Sequence, residues 1–355
     1  MHTPFGRIQF STKSAAITLC SEVLLVGVLL GVLIGMNNAG GGMHEGDQKS
    51  GQYGTIHASK MTIEAERIPL LTPHEHVVGD SLYNPSHHQL VSSDVIVVPE
   101  DIWVTGVSFS LTNADAATLH HAILHRLDRS DPVCPNYAAA SVFVFGADGA
   151  LRQISFTDPY ALFLPKDTPL LLQVMLHNPL PPYGPGKEYT NVRPMMTLDV
   201  EPATEANNKV PVESYRLHVS DTPCNVTSAS GEVFSVPPRT EHFIKKGEEV
   251  NGMNSAKVVF PADGTIIGMG AHLHAWEGGE QVDVSVNGNL LETLASEKMS
   301  DAPWSWKTAY RYPATIPVRK GDVLSLTATY SNPGPLSIEG AMGMLSVFFA
   351  ARSTP

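Results

Sequence analysis

The chain has 355 residues and a formal net charge of −12, a length that allows one large core or two ordinary ones. Its acidity argues against a nucleic-acid ligand, because a phosphate-binding surface needs an excess of lysine and arginine. The basic residues are scattered, with no run longer than Lys245-Lys246, so no basic patch hides inside the acidic total.

Near the N-terminus, Arg7 and Lys13 precede residues 15–36, which are apolar apart from Thr18, Ser21 and Glu22. The uninterrupted part, VLLVGVLLGVLIGM (23–36), has the length of a signal-peptide hydrophobic region. Extended back to residue 15 it reaches the roughly 20 residues that a membrane-spanning helix needs. No convincing A-x-A cleavage signal follows it. Residues 15–36 are therefore a signal anchor or a signal peptide, and the basic flank keeps residues 1–14 in the cytosol. Either way the body is expected outside the cytosol, anchored to the membrane through the N-terminal helix or secreted. Residues 37–54, NNAGGGMHEGDQKSGQYG, are Gly-rich and polar and read as a flexible stalk.

Beyond the stalk no long stretch has a helical period. Short runs rich in Val, Ile, Phe and Thr recur between Pro, Gly, Asn and Asp. The first series is DVIVV (94–98), WVTGVSFSL (103–111), ASVFVF (140–145), LLLQVML (170–176) and MMTLDV (195–200). The second is AKVVF (256–260), TIIGMGAHLHAW (265–276), VDVSVNGNLLETL (282–294), DVLSLTATY (322–330) and GMLSVFFA (343–350). Residues 286–289 (VNGN) and 319–322 (RKGD) read as tight turns. This spacing predicts an all-β protein of the β-sandwich or jelly-roll kind. The polar stretch EPATEANNKVP (201–211) is the best linker, predicting β-sandwich domains over 55–203 and 204–355, with a single elongated sandwich as the alternative.

Cys20 lies in the apolar segment, while Cys134 and Cys224 lie in the body, either bridged in an oxidising compartment or as separate thiols. Asn225-Val226-Thr227 is a glycosylation sequon. Of the 15 histidines, the sharpest signal is His272-Leu-His274. At i and i+2 on a strand both imidazoles leave one face, where a single metal ion can bridge them. His120 and His121 are adjacent, so joint ligation requires a strand end or a bulge. His177 shares a strand face with Met175. Met342 and Met344 share a face near the C-terminus, where packing is the ordinary use of methionine. His74, His76, His87 and His88 fall in Pro- and Asn-bearing loop sequence and read as solvated, with an accessory metal site as the alternative.

The order His-His, then Leu-Gln-Val-x-x-His-Asn-Pro, then His-x-His, then a late Met resembles the type II copper, ascorbate-dependent monooxygenases. This is the group of peptidylglycine α-hydroxylating and dopamine β-monooxygenases. The resemblance spans residues ~60–350 as short motifs. It implies two jelly-roll domains in tandem after an N-terminal apolar helix, each holding one copper across a solvent-filled cleft. The implied electron-transfer copper is held by His120, His121 and His177. The implied O₂-activating copper, the catalytic site, is held by His272, His274 and Met342. The resemblance further implies hydroxylation of a C–H bond of a small-molecule substrate with O₂, with ascorbate or another small reductant regenerating Cu(I).

Three departures qualify it. Met175 occupies the position of the third ligand on the electron-transfer copper, leaving that place to Met175 or His177. Gly270 and Ser346 stand where peptide-amidating members carry the Arg and Tyr that grip a substrate carboxylate, so a peptide ending in glycine is not the expected substrate. The exported cysteines allow at most one disulfide, where animal members carry many. Competing readings are a non-catalytic copper-binding or copper-handling protein, favoured by Met175, and an adhesion or sugar-binding jelly roll with incidental histidines.

Overall fold

The period-two runs fold as strands, and no α-helix occurs among the described residues. The computed structural model describes residues 52–75, 88–146, 153–181, 184–224, 233–298, 306–308 and 310–352. The N-terminal apolar segment, most of the stalk, His76, His87 and the sequon at 225–227 lie outside them. Among the described residues no helix is long and apolar enough to cross a membrane.

The strands of five residues or more are β1 (Lys60–Glu64), β2 (His88–Ser92), β3 (Ile102–Thr112), β4 (Leu119–Arg126), β5 (Ala140–Gly146), β6 (Tyr160–Leu164), β7 (Pro169–His177) and β8 (Tyr189–Pro202) in the first half. In the second half they are β9 (Val210–Val219), β10 (Thr240–Lys246), β11 (Gly264–Leu273), β12 (Gly279–Val286), β13 (Asn289–Lys298), β14 (Val323–Asn332) and β15 (Gly343–Ala351). The β12–β13 hairpin closes through Asn287 and Gly288, both at positive φ (52° and 78°), as the Asn-Gly signal requires.

Three large sheets result. A six-stranded sheet carries β7, β4 and β5 in that order, with β2 also on β7. A second six-stranded sheet runs β10-β14-β12-β13. Between these groups runs a 12-stranded sheet in the order β1-β8-β3-β6-β9-β15-β11. Its two halves join where β6 and β9 pair in parallel, Tyr160 against Val210 and Ala161 against Pro211. The expected linker is thus the end of β8, a 3₁₀ turn at Glu205–Asn207 and the start of β9.

Two apolar cores lie between the sheets. The first gathers Met61, Ile63, Val104, Phe143, Leu172 and Leu198; the second gathers Leu217, Phe260, Val284, Leu326, Leu345 and Phe349. The first core also takes in Val212, Ile267, Phe348 and Ala350 from second-half strands. Alternation explains this sharing. On β15, Leu345, Val347 and Phe349 face the second core, while the alternate Phe348 faces the first. All the described residues belong to one compact unit.

Cys134 and Cys224 form a disulfide with Cα atoms 5.1 Å apart and a sequence separation of 90. The Asp131 carboxylate accepts hydrogen bonds from the backbone N–H groups of Val133 and Cys134, both at 2.9 Å, and so fixes the loop that presents the first cysteine. Cross-linking a loop of this length restricts the unfolded chain, and such bridges contribute about 2–5 kcal/mol. Replacing both cysteines with serine should lower the unfolding free energy by that amount, and with it the denaturant midpoint, without changing the far-UV spectrum. An unchanged midpoint would mean that the bridge does not form in solution.

Candidate metal centre

On the first-half side the register of β4 against β7 holds the decisive irregularity. Met175 pairs with His121, but the next residue, Leu176, pairs with Leu119, so His120 is the extra residue of a bulge. A bulge re-aims a side chain that strict alternation would send to the opposite face. It brings the His120 and His121 rings within 4.7 Å, centroid to centroid. His177 ends β7, with its ring 6.1 Å from that of His120.

The Asn178 that follows sews the neighbouring loops together. Its buried side-chain amide donates to the backbone oxygens of Leu71 (3.5 Å) and Lys187 (2.7 Å), while the Asn178 backbone carbonyl accepts from the His74 N–H at 3.1 Å. His74 thereby packs on His177 with ring centroids 4.9 Å apart. The expectation of a solvated His74 is corrected: backbone bonding to the His-Asn-Pro corner draws it into the array. His88 pairs with His177 across β2 and β7.

On the second-half side, β11 ends at Leu273 and the chain turns through a short 3₁₀ segment, Ala275–Glu277. Gly278 closes this turn at φ 94°, where a Cβ would meet the Ser331 carbonyl oxygen at 2.0 Å, so only glycine fits. The turn swings the buried Glu277 back until its Oε2 lies 3.4 Å from His274 Nδ1. The fully buried Tyr330 hydroxyl accepts from the His274 N–H at 2.9 Å and donates to the Met342 carbonyl at 2.6 Å. It also accepts from the Met342 N–H at 3.3 Å.

The two sides meet. His120 lies 5.5 Å from His272 and 5.1 Å from His274, and those two lie 5.4 Å from each other, ring centroid to ring centroid. Ligand nitrogens of all three fall within 4.8 Å of one another, and the three residues are at most 2% exposed. Two metal–nitrogen bonds of about 2.1 Å cap the separation of two ligating nitrogens at roughly 4.2 Å. Small ring rotations would therefore close the set on one ion. His121 flanks it, 6.2 Å from His272.

A further row completes the wall. His218 on β9 pairs with Met344 on β15, which pairs in turn with His272 on β11, so the three side chains leave one face of the sheet side by side. Burial holds His218 well below its ordinary pKa, reinforced by Arg216, His121 and His272 nearby. His125, further along β4, is lowered to about 3 by burial and by Arg216, against a raising hydrogen bond from Gln173. These imidazoles therefore stay neutral, the form in which they can ligate.

The residues singled out in the sequence divide unevenly. His120, His121, His177, His272 and His274 come together, with the His120 ring 4.7 Å from that of His121 and its ligand nitrogen also within 4.8 Å of those of His272 and His274. Met342 lies between strands and is held through its backbone by Tyr330, whereas Met344, expected in the apolar core, stands opposite His272. Its register with β11, which local periodicity does not specify, decides this. Met175 stands opposite His121. His218, Glu277 and Tyr330 gave no recognised signal, although His218 does sit at alternating spacing in a strand-like run.

No family model matches the chain, and no curated protein matches it. Among solved structures the chain is similar to the major capsid protein P2 of bacteriophage PM2, at 7% identity and TM-score 0.34, over 83% of this chain and 98% of that one. It is also similar to the tandem CBM51 modules of Sp3GH98, a family 98 glycoside hydrolase from Streptococcus pneumoniae SP3-BS71, at 11% identity and TM-score 0.17, over 87% and 98%. A structure of the infectious bursal disease virus Gx strain gives 11% identity and TM-score 0.22, over 90% and 78%. Likenesses at this level carry no inference about chemistry.

Tyr330→Phe should strand the buried groups that its hydroxyl serves, at a cost on the order of 1–3 kcal/mol, and should weaken metal binding by releasing His274. Thermal unfolding and a metal-binding isotherm of the same variant check the two effects together. Glu277→Gln should keep the fold but lower metal affinity about 10–100-fold, as loss of an orienting carboxylate does. Competition with a chelator of known affinity reads that change.

Proposed function

We propose that this chain is an exported copper protein of tandem jelly rolls that oxidises a small molecule with O₂ and a reductant such as ascorbate. The observation that carries the reading is the convergence of His120 with His272 and His274, drawn from far-apart strands into one buried group. Neutral imidazoles beside a thioether suit an ion that cycles between Cu(I) and Cu(II). When bound, copper would supply one-electron exchange and O₂ chemistry.

The chain's own residues would do the rest. His120, His272 and His274 would hold the ion, Glu277, with Oε2 3.4 Å from His274 Nδ1, would accept its N–H and fix its tautomer, and Tyr330 fixes the backbone that carries it. Met344 brings sulfur to the row of His272. His121, His177, His74 and Met175 offer ligands for the second ion that the resemblance implies, next to the first rather than across a cleft. The Cys134–Cys224 bridge supports an oxidising compartment for the body.

A second reading is a protein that holds copper without turnover. The near-complete burial of the three histidines favours it, because catalysis needs a coordination position that substrate or O₂ can reach.

Reconstitution of the metal-free protein with copper, followed by ascorbate, separates the readings. Retained copper with ascorbate-dependent O₂ uptake, both lost in His272→Ala, is the expected result. Retained copper without O₂ uptake favours the holding protein, and failure to retain copper removes both. The methionines make a sharper comparison. Met344→Ala should weaken Cu(I) retention more than Cu(II) retention, whereas Met342→Ala should chiefly cost stability, about 2–5 kcal/mol for a buried side chain.

A further inference from the structure

The three histidines of the metal centre are buried, so an ion must travel through protein to reach them. An ion stripped of ligands on the way would meet a heavy desolvation cost. A series of imidazoles leads outward from the centre. The His120 ring lies 6.1 Å from that of His177, and the His177 ring lies 4.9 Å from that of His74, centroid to centroid. Exposure rises along the same series. His120 is fully buried, His177 is 9% exposed, and His74 is partly exposed with its Nε2 screened from solvent.

The spacing suits a moving ion. His74 and His177 are closer than any two rings of the centre, which stand 5.1, 5.4 and 5.5 Å apart, so one ion can bind both after small ring rotations. The step from His177 to His120 is the longest and asks for the largest rotation. The place of His74 is set through its backbone: its N–H donates to the Asn178 carbonyl at 3.1 Å, and its own carbonyl accepts from the Leu180 N–H at 2.8 Å. Replacing the imidazole therefore leaves those two bonds in place.

We propose that His74 and His177 form the entry route of the metal ion, which is captured at His74, passed to His177 and delivered through His120 to His272 and His274. The inference rests on the proposed metal at the buried centre and adds how the ion arrives there. At each step a bond to the next imidazole forms as the bond to the one behind breaks, and the charge of the ion does not change. The rings that offer a second ion its place would hold the first in passing. A relay residue lowers the barrier between outside and inside without holding the ion at its destination. It therefore changes the rates of uptake and release by one factor and leaves their ratio, the affinity of the centre, as it was.

The test is stopped-flow uptake of one equivalent of Cu(I), and separately of Zn(II), by the metal-free full chain, followed by release to an excess of chelator. His74→Ala should slow uptake and release of both ions alike, by about tenfold or more. The same substitution at the exposed His242 on β10 should change neither rate. His74→Met should restore the rates for Cu(I) but not for Zn(II), because a thioether is a good ligand for the first and a poor one for the second. Both ions enter the same variant, so that contrast does not depend on whether the substitution disturbs the fold. Unchanged rates in His74→Ala, unequal changes in uptake and release, or equal recovery of both ions in His74→Met would overturn the route. Zn(II) loading that depends on His74, with no Cu(I) retained, would remove the copper reading and keep the route. Retained Cu(I) with rates independent of His74 would remove the route alone, and retention of neither ion would remove both.

Discussion

The histidine centre depends on the register of β15 between β9 and β11. That strand is hydrogen-bonded along both edges, and the pairing lines up His218, Met344 and His272 on one face while Leu217, Leu345 and Leu273 enter the apolar core on the other. A slip of one residue would exchange the two faces, burying imidazoles in hydrocarbon and turning leucines toward the first half. The second core therefore fixes the metal-ligand wall indirectly: it penalises every register except the one that presents the histidines.

The same sheet face closes the first core. Phe348 packs on Phe143 and Phe156 with ring centroids 6.0 and 5.3 Å away, so β15 contributes to both cores through alternate residues. Such sharing is what brings β4 with its bulge up against β11. Had the halves been separate sandwiches joined by a linker, His120 and His272 would have faced one another across solvent. With an apolar contact made by the same strands that carry the ligands, the gap closes to van der Waals dimensions and the imidazoles become buried.

Burial then sets the electrostatics. Positive charges on several imidazoles about 5 Å apart in a low-dielectric interior repel heavily, and a cation shared by the rings would relieve that repulsion. Arg216 sharpens this condition from the edge of the array, since its fixed charge disfavours a second positive charge on His125 and His218. A polar interior of this kind brings no advantage in stability over an apolar one, which marks it as a place where function outweighs packing.

The sequence by itself determined the all-β class, most of the strands near their observed bounds, the Asn-Gly hairpin and the His272/His274 pair. All of these are properties of neighbours along the chain, where the period-two alternation and turn chemistry act. It also required that a bulge or strand end be present if His120 and His121 were to act together, and the β4–β7 register supplies the bulge. Only the tertiary structure decided that His120 would join the second-half pair, that Met344 rather than Met342 would stand opposite His272, that His74 would pack on His177 and that His218 would share a row with His272. Those outcomes rest on pairings between strands remote in sequence and on a core shared by two halves. Residue spacing within one strand carries no information about which partner strand it will meet, or in what register, because that choice is made by the burial of the opposite face.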